Sequence, residues 1–233
     1  MMKKNLYFGI ALSLAVAATS CSMNFEPTGA YSDKTFWYSA KNAESGLTGC
    51  FLPLRNGSMF GGMSIALEEC ATPNAYNYAN TLNGNVFAKG SHTAEGTVIA
   101  GRWKDAYTGI GRCNMLLANI DQSKELSSEE IIQMKAQARF LRALYYSVLT
   151  TYYYSAPLIT DSPDISQADQ PRAERATIIR FILDALEEVS KILPRSYTSA
   201  DLGRPTAGAA LALRARILLF AASELCTPHH TAS

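Results

Sequence analysis

ARFLRALYYSVLTTYYYSAPLI, residues 138–159, places five tyrosines within the ten positions from Tyr145 to Tyr154. Whether this row is a binding surface or the inside of a scaffold decides the fold. Met134, Ala138, Leu141, Tyr145, Val148 and Tyr152 recur at alternating steps of four and three, which is one face of a helix. Phe140 and Leu144 form a second stripe a quarter turn or more away. Apolar residues on two faces predict a helix packed from both sides, as in stacked helical hairpins. The spacing therefore assigns Tyr145, Tyr146, Tyr152 and Tyr153 to packing. The helix is expected to end before Pro157, because proline disfavours helical geometry in the residue preceding it.

Upstream, Leu126-Ser127-Ser128-Glu129-Glu130-Ile131 carries a start signal. The Ser127 hydroxyl can accept from the amide of Glu130 while Glu130 reaches back to the amide of Ser127, and Leu126 and Ile131 are placed for a hydrophobic staple. A preceding helix over Thr97–Ile120 has Trp103, Tyr107, Ile110, Asn114 and Leu117 on one face. Downstream, Ile178, Ile182, Ala185, Val189 and Ile192 predict a helix over Ala176–Leu193, with Glu187 and Lys191 as a surface pair. A last helix begins near Pro205-Thr206, with proline suited to its first turn. Its Gly208, Ala209, Ala212 and Ala215 would permit close helix–helix approach. An earlier helix runs from Phe36 to Leu52 and stops before Pro53. Between it and Thr97, residues 55–95 are rich in Gly, Asn, Ser and Thr and predict a long irregular region. Together these elements predict an all-α, tetratricopeptide-like helical-repeat array (an α-α superhelix) of antiparallel pairs with one long irregular loop region. The spacing is not a clean 34-residue period.

The chain has 233 residues, 48% hydrophobic and 18% charged, an ordinary globular composition that argues against disorder. A net charge of +1 without a basic run excludes a nucleic-acid partner of the kind that tracks phosphates. The first residues, MMKKNLYFGIALSLAVAATSC, give two lysines, an apolar run from Leu6 to Ala18 and small residues before Cys21. The run is too short for a membrane-spanning helix and has the pattern of an export signal. A cysteine directly after Ala18-Thr19-Ser20 matches bacterial lipoprotein signals, in which that cysteine receives diacylglycerol and becomes the mature N-terminus. Ala18 departs from the usual leucine at its position. Removing residues 1–20 takes away Lys3 and Lys4, leaving 19 basic against 20 acidic residues, a balance of −1.

Cys50, Cys70, Cys113 and Cys226 remain, enough for two disulfides in an exported protein, although Cys50 and Cys113 also suit small apolar gaps in helices. No C-x-x-C spacing supports zinc or thioredoxin chemistry. No cofactor motif and no catalytic constellation emerges. Gly109-Ile110-Gly111 lies inside a helix rather than after a strand. Gly62-Met63-Ser64-Ile65-Ala66 only partly imitates a nucleophile elbow. His92 stands alone in a loop, and Glu68, Glu69 and Asp105 are carboxylates whose separation sequence cannot supply. The ligand candidates are Tyr76, Asn77, Tyr78 and Asn80, where phenols alternate with amides. A sugar presents an apolar ring face with a fringe of hydroxyls, which rings and amides both suit. The competing reading is a turn-rich loop using Asn for its own backbone.

The succession of Cys21, FEPTGAYSDKTFW, WKDAYTGIGRCNMLLANI, ARFLRALYYSVLTTYYYSAPLI, IIRFILDALEEVSKILP and GRPTAGAALALRARILLF resembles the SusD/RagB family of Bacteroidetes outer-membrane lipoproteins. The FLRAxYY and GRxTxGAAxALxAR elements are the most specific. The resemblance implies a non-enzymatic, lipid-anchored glycan-binding protein at the outer membrane. It would serve a SusC-like TonB-dependent transporter that imports oligosaccharides or other nutrients. Gln137 stands where family members usually carry Glu, and Ser155-Ala156 replace a usual Gly pair. SMNFEP after Cys21 lacks the acidic run associated with surface export. Family members continue well beyond the last helix, whereas this chain closes in SELCTPHHTAS, so a truncation or frameshift near Ser223 is expected. The expected layout is a signal over 1–20, a tether over 21–35, a helical domain over 36–223 and an atypical tail over 224–233. The alternative is a truncated helical-repeat scaffold for protein interaction that binds no ligand.

Overall fold

Three hydroxyl side chains set where three of the long helices begin. Ser39, Ser127 and Thr206 each lie in extended backbone and accept the amide three residues on, at 3.2 Å in every case. The computed structural model describes residues 33–62, 64–78, 85–224 and 226. The readings for residues 1–32, Cys21 among them, lie outside the described residues, as do Asn80 and all of the tail except Glu224 and Cys226.

Among the described residues the protein is all-α. The long helices are α1 (Ala40–Phe51), α2 (Thr97–Asn119), α3 (Ser128–Tyr153), α4 (Arg175–Ser190) and α5 (Ala207–Ala221). The only extended pairing there is an isolated bridge between Ala156 and Ala173. A one-turn helix, Asp33–Phe36, belongs to the N-terminal segment, and the body begins at Trp37. The expected helix over Phe36–Leu52 is thus divided, because the Ser39 cap forces a fresh start at Ala40. The region 55–95 is largely irregular as expected, yet it holds two short helices, Ser64–Glu69 and Asn85–Ala88.

Successive helices pack side by side: α2 on α3, α3 on α4, α4 on α5, with α1 laid against α2 and α3. The central helix, α3, is buried on nearly all sides, including Met134, Ala138, Phe140, Leu141, Tyr145, Tyr146 and Leu149. Its capping box is complete, since Glu130 accepts the Ser127 amide at 2.8 Å. It ends at Tyr153, earlier than Pro157 requires, because Tyr154 takes φ +68° and breaks the ladder.

The polar members of the FLRAxYY stretch hold the chain that follows. Tyr146 Oη accepts from the amide of Ile159 at 2.7 Å and donates to its carbonyl at 2.9 Å. Arg142 donates to Asn114 and to the Thr160 carbonyl, Asn114 Nδ2 reaches the carbonyls of Ile159 and Asp161, and Tyr107 Oη donates to that of Pro157. Residues 157–161 lie outside any helix or strand, and these side chains answer some of their backbone polar groups. Arg204, from GRPT, joins Glu44 of α1, Gln137 of α3 and Asp201. Gln137 Oε1 accepts from Arg204 at 3.1 Å.

Two details of the last helix differ from expectation. Pro205 precedes the Thr206 cap rather than occupying the first turn. Gly208, Ala212 and Ala215 are exposed and Ala209 is half-buried, while Ala210 and Ile217 are the buried positions. Apart from Arg214 and Arg216 the helix is apolar, with apolar residues on every face, which removes the periodic signal that would have placed its inner face. Cys50, Cys70 and Cys113 are buried free thiols and Cys226 is a half-buried one. Burial, with Cys50 alongside, pushes the Cys113 thiol well up.

Candidate functional site

Where the start of α2 meets the end of α3, the two helices and the irregular region enclose a cavity of about 540 Å³. Its volume lies within the range of small-molecule sites, about 300–1,000 Å³. α2 contributes Val98, Ile99 and Arg102, and α3 contributes Tyr152 and Tyr153. The two short helices add Ser64, Glu68 and Phe87, and the loop before α2 adds His92.

Local backbone chemistry brings the irregular wall into place. A Cβ on Gly61 would lie 1.7 Å from the Arg55 carbonyl oxygen, and Gly62 has φ +58°, so this turn into the Ser64–Glu69 helix needs both glycines. Asp105 of α2 accepts from Asn56 Nδ2 at 2.8 Å and from the Ser58 hydroxyl. Arg102 Nε donates to the Ser58 carbonyl at 2.8 Å. Asp105 is therefore an anchor for the loop. Asn85 Nδ2 donates to the Asn77 carbonyl at 2.9 Å, which ties the Tyr76–Tyr78 stretch to the helix carrying Phe87.

The cavity is mainly apolar with one charged edge. Arg102 Nη2 meets Glu68 Oε1 at 2.8 Å, the arginine side chain 8% exposed and the glutamate 42%. The guanidinium also lies 4.2 Å from the centre of the Tyr152 ring. Tyr152 is thus held against a cation, while 48% of its surface remains exposed. Burial first, and then the hydrogen bond to Glu68, pushes the Tyr152 phenol above its ordinary range. Tyr153 donates to the Ile99 carbonyl and meets Trp103 edge-on, ring centres 5.1 Å apart. Burial raises its phenol to about 12. His92 packs on Phe87 with ring centres 5.7 Å apart. The Ser64 hydroxyl is buried without a partner among the described residues.

Such a site can bind a ligand by ring stacking, apolar contact and a few hydrogen bonds. The structure brings Tyr152, Tyr153, Glu68 and His92 together there. Tyr145 and Tyr146 are fully buried packing residues as expected, but Tyr152 and Tyr153 are also cavity wall, which corrects their assignment to packing alone. Helical spacing hid this because the wall facing the last turn of α3 is built by the first turns of α2 and by the irregular region. Trp103 and Tyr107 pack on each other, ring centres 5.0 Å apart, and are not lining residues. Tyr76 and Tyr78 are exposed, at 71% and 94%, on the loop joined through Asn77 to the Phe87 helix. Arg102 and Phe87 escaped the sequence reading. An arginine on the inward face of α2, one position before Trp103, was the available signal for the first.

Comparison with known proteins places these features in context. A SusD-like family model described as "starch-binding associating with outer membrane" matches residues 58–219. The SusD-like protein P25 of Formosa agariphila is 25% identical over 202 residues, covering 82% of this chain and 38% of that protein. A SusD-like carbohydrate binding protein from Bacteroides fragilis superposes with a TM-score of 0.70 at 30% identity, covering 79% of this chain and 38% of the other. A laminarin binding SusD-like protein gives a TM-score of 0.71 at 24% identity, with 78% and 40% covered. The chain spans about two-fifths of the length of the relatives it matches.

Proposed function

The chain belongs to the SusD-like family, and on that premise we propose that it is a lipid-anchored outer-membrane protein that captures nutrient glycans for a SusC-like TonB-dependent transporter. The observation that carries the reading is the aromatic cavity at the α2–α3 end, lying within the matched residues. Tyr152 offers a ring held in place from one side, and Phe87, Val98 and Ile99 supply apolar surface for the carbon face of a sugar. Tyr76, Asn77 and Tyr78, on the loop tied to the Phe87 helix, would add rings and an amide for sugar hydroxyls, and Asn80, outside the described residues, a second amide. Binding does no chemistry on the sugar; import belongs to the transporter. Cys21 carries the acyl chains, since two or more are needed for stable anchoring.

The experiment is glycan retention by the purified chain on a panel of insoluble and oligomeric polysaccharides, with Tyr152→Ala and the double variant Tyr76→Ala/Tyr78→Ala alongside. Retention lost in Tyr152→Ala and weakened in the double variant is expected. Unchanged retention in the double variant removes the loop from the site, and no retention of any glycan by the parent chain ends the reading. Palmitate labelling abolished by Cys21→Ala tests the anchor, and co-purification with the transporter tests the partnership.

A further inference from the structure

We infer that the Glu68–Arg102 pair makes the cavity selective for uncharged glycans over uronate-bearing or sulfated ones, with Glu68 as the specificity-determining residue. The inference rests on the glycan reading above and deepens it. Among the described residues, the formally charged side chains of the lining are Glu68 and Arg102. They are not equally available. Arg102 is buried and engaged on three sides, by the Ser58 carbonyl, by Glu68 and by the Tyr152 ring. Glu68 has 42% of its side chain open, so the charge that a ligand meets is the carboxylate.

An anionic sugar stacked on Tyr152 would therefore be set beside a like charge, with no free cation among the described lining residues to answer it. Bringing like charges together costs affinity and rejects the wrong partner. A neutral sugar meets no such penalty, and its hydroxyls can donate to the open carboxylate as charge-assisted bonds. Replacing Glu68 by Gln removes the repulsion and leaves Arg102 with uncompensated charge a ring's thickness from the ligand. Selectivity should then narrow through a gain for the anion rather than a general loss.

The test is calorimetric titration of the 233-residue chain with neutral gluco-oligosaccharides, both α-1,4- and β-1,3-linked, and with oligogalacturonates of matched length. The parent chain should favour a neutral ligand by about tenfold or more, the scale of one like-charge contact at a half-exposed site. In Glu68→Gln the ratio should fall several-fold because the uronate binds more tightly, while Glu68→Asp, which keeps the charge, should retain the parental ratio. High salt should compress the ratio in the parent chain, since it screens an exposed carboxylate; this arm holds even if Glu68→Gln fails to fold. A parent chain that binds uronate as well as neutral sugar overturns the inference, as does a ratio unmoved by both Glu68→Gln and salt. Either result leaves glycan binding intact. Failure to bind any oligosaccharide would instead sink the glycan reading, and the inference with it.

Discussion

Tyr145 and Gly109 show how much of the packing depends on single atoms. The Tyr145 ring lies directly over Gly109 of α2, and a Cβ there would come within 2.1 Å of it. With this close approach the Tyr145 hydroxyl reaches the Cys50 carbonyl at 2.7 Å, so one side chain ties α3 to both α1 and α2. Gly109→Ala should destabilise the protein by about 1–3 kcal/mol through overpacking. Gly49→Ala, in α1 with nothing within 4 Å of the new methyl, should instead be neutral or stabilising by up to ~1 kcal/mol. Urea denaturation of the two variants separates the cases, and equal effects would mean that ordinary helix propensity explains both. Tyr146→Phe leaves the amide of Ile159 without its partner, while the carbonyl keeps Asn114 Nδ2, and should cost about 1–3 kcal/mol. A midpoint unchanged in the same titration would show that Tyr146 does not hold this segment.

The helices show where sequence carries structure and where it does not. The start of α3 was legible because its cap is local: four consecutive residues contain both hydrogen bonds. Ser127→Ala should cost about 1 kcal/mol at neutral pH. The Ser127 hydroxyl and amide both bond the Glu130 carboxylate and hold its pKa below the ordinary value of 4.5. A depressed carboxylate contributes stability above its unfolded pKa and loses it as pH falls through the lower, folded one. The deficit of Ser127→Ala relative to the parent should therefore shrink below about pH 4.5; a deficit constant across that range would contradict the box. The α2 and α4 boundaries were also legible, from apolar periodicity ended by turn residues. The inner face of α5 was not, because Leu211, Leu218 and Leu219 are apolar and exposed, and only packing distinguishes Ala210 and Ile217 from them. The cavity was half legible. Its tyrosines lie in a visible row, but their place in the wall depends on which residues of α2 and of the irregular region meet the last turn of α3. Arg102 and Phe87 reach the same space from sites 15 residues apart, a convergence that depends on the turn at Gly90, φ +63°, rather than on any periodic pattern.

At the scale of the whole molecule, the aromatic hydroxyls form a distributed set of tethers. Tyr107 links α2 to Pro157, Tyr145 links α3 to α1, Tyr146 links α3 to Ile159, and Tyr153 links α3 back to the first turn of α2. Each phenol is kept protonated chiefly by burial. Tyr146 and Tyr153 are raised to about 12 from an ordinary value of 10, and Tyr107 and Tyr145 go further up. Between these values the unfolded chain releases protons that the folded chain keeps, so stability must fall as pH rises. It is fully present below about pH 10 and declines through pH 12, at ~1.4 kcal/mol per pH unit for each phenol involved. Several such groups acting together lower stability by an amount comparable with the 5–15 kcal/mol that typical domains possess. Helical circular dichroism should thus be lost cooperatively in this window, with tyrosinate absorbance from the buried rings appearing in the same step. Tyr146→Phe, though less stable at neutral pH, should show a shallower alkaline slope because it has one fewer phenol to ionise. Helix retained while all the buried rings titrate would show that the tethers do not bear on global stability.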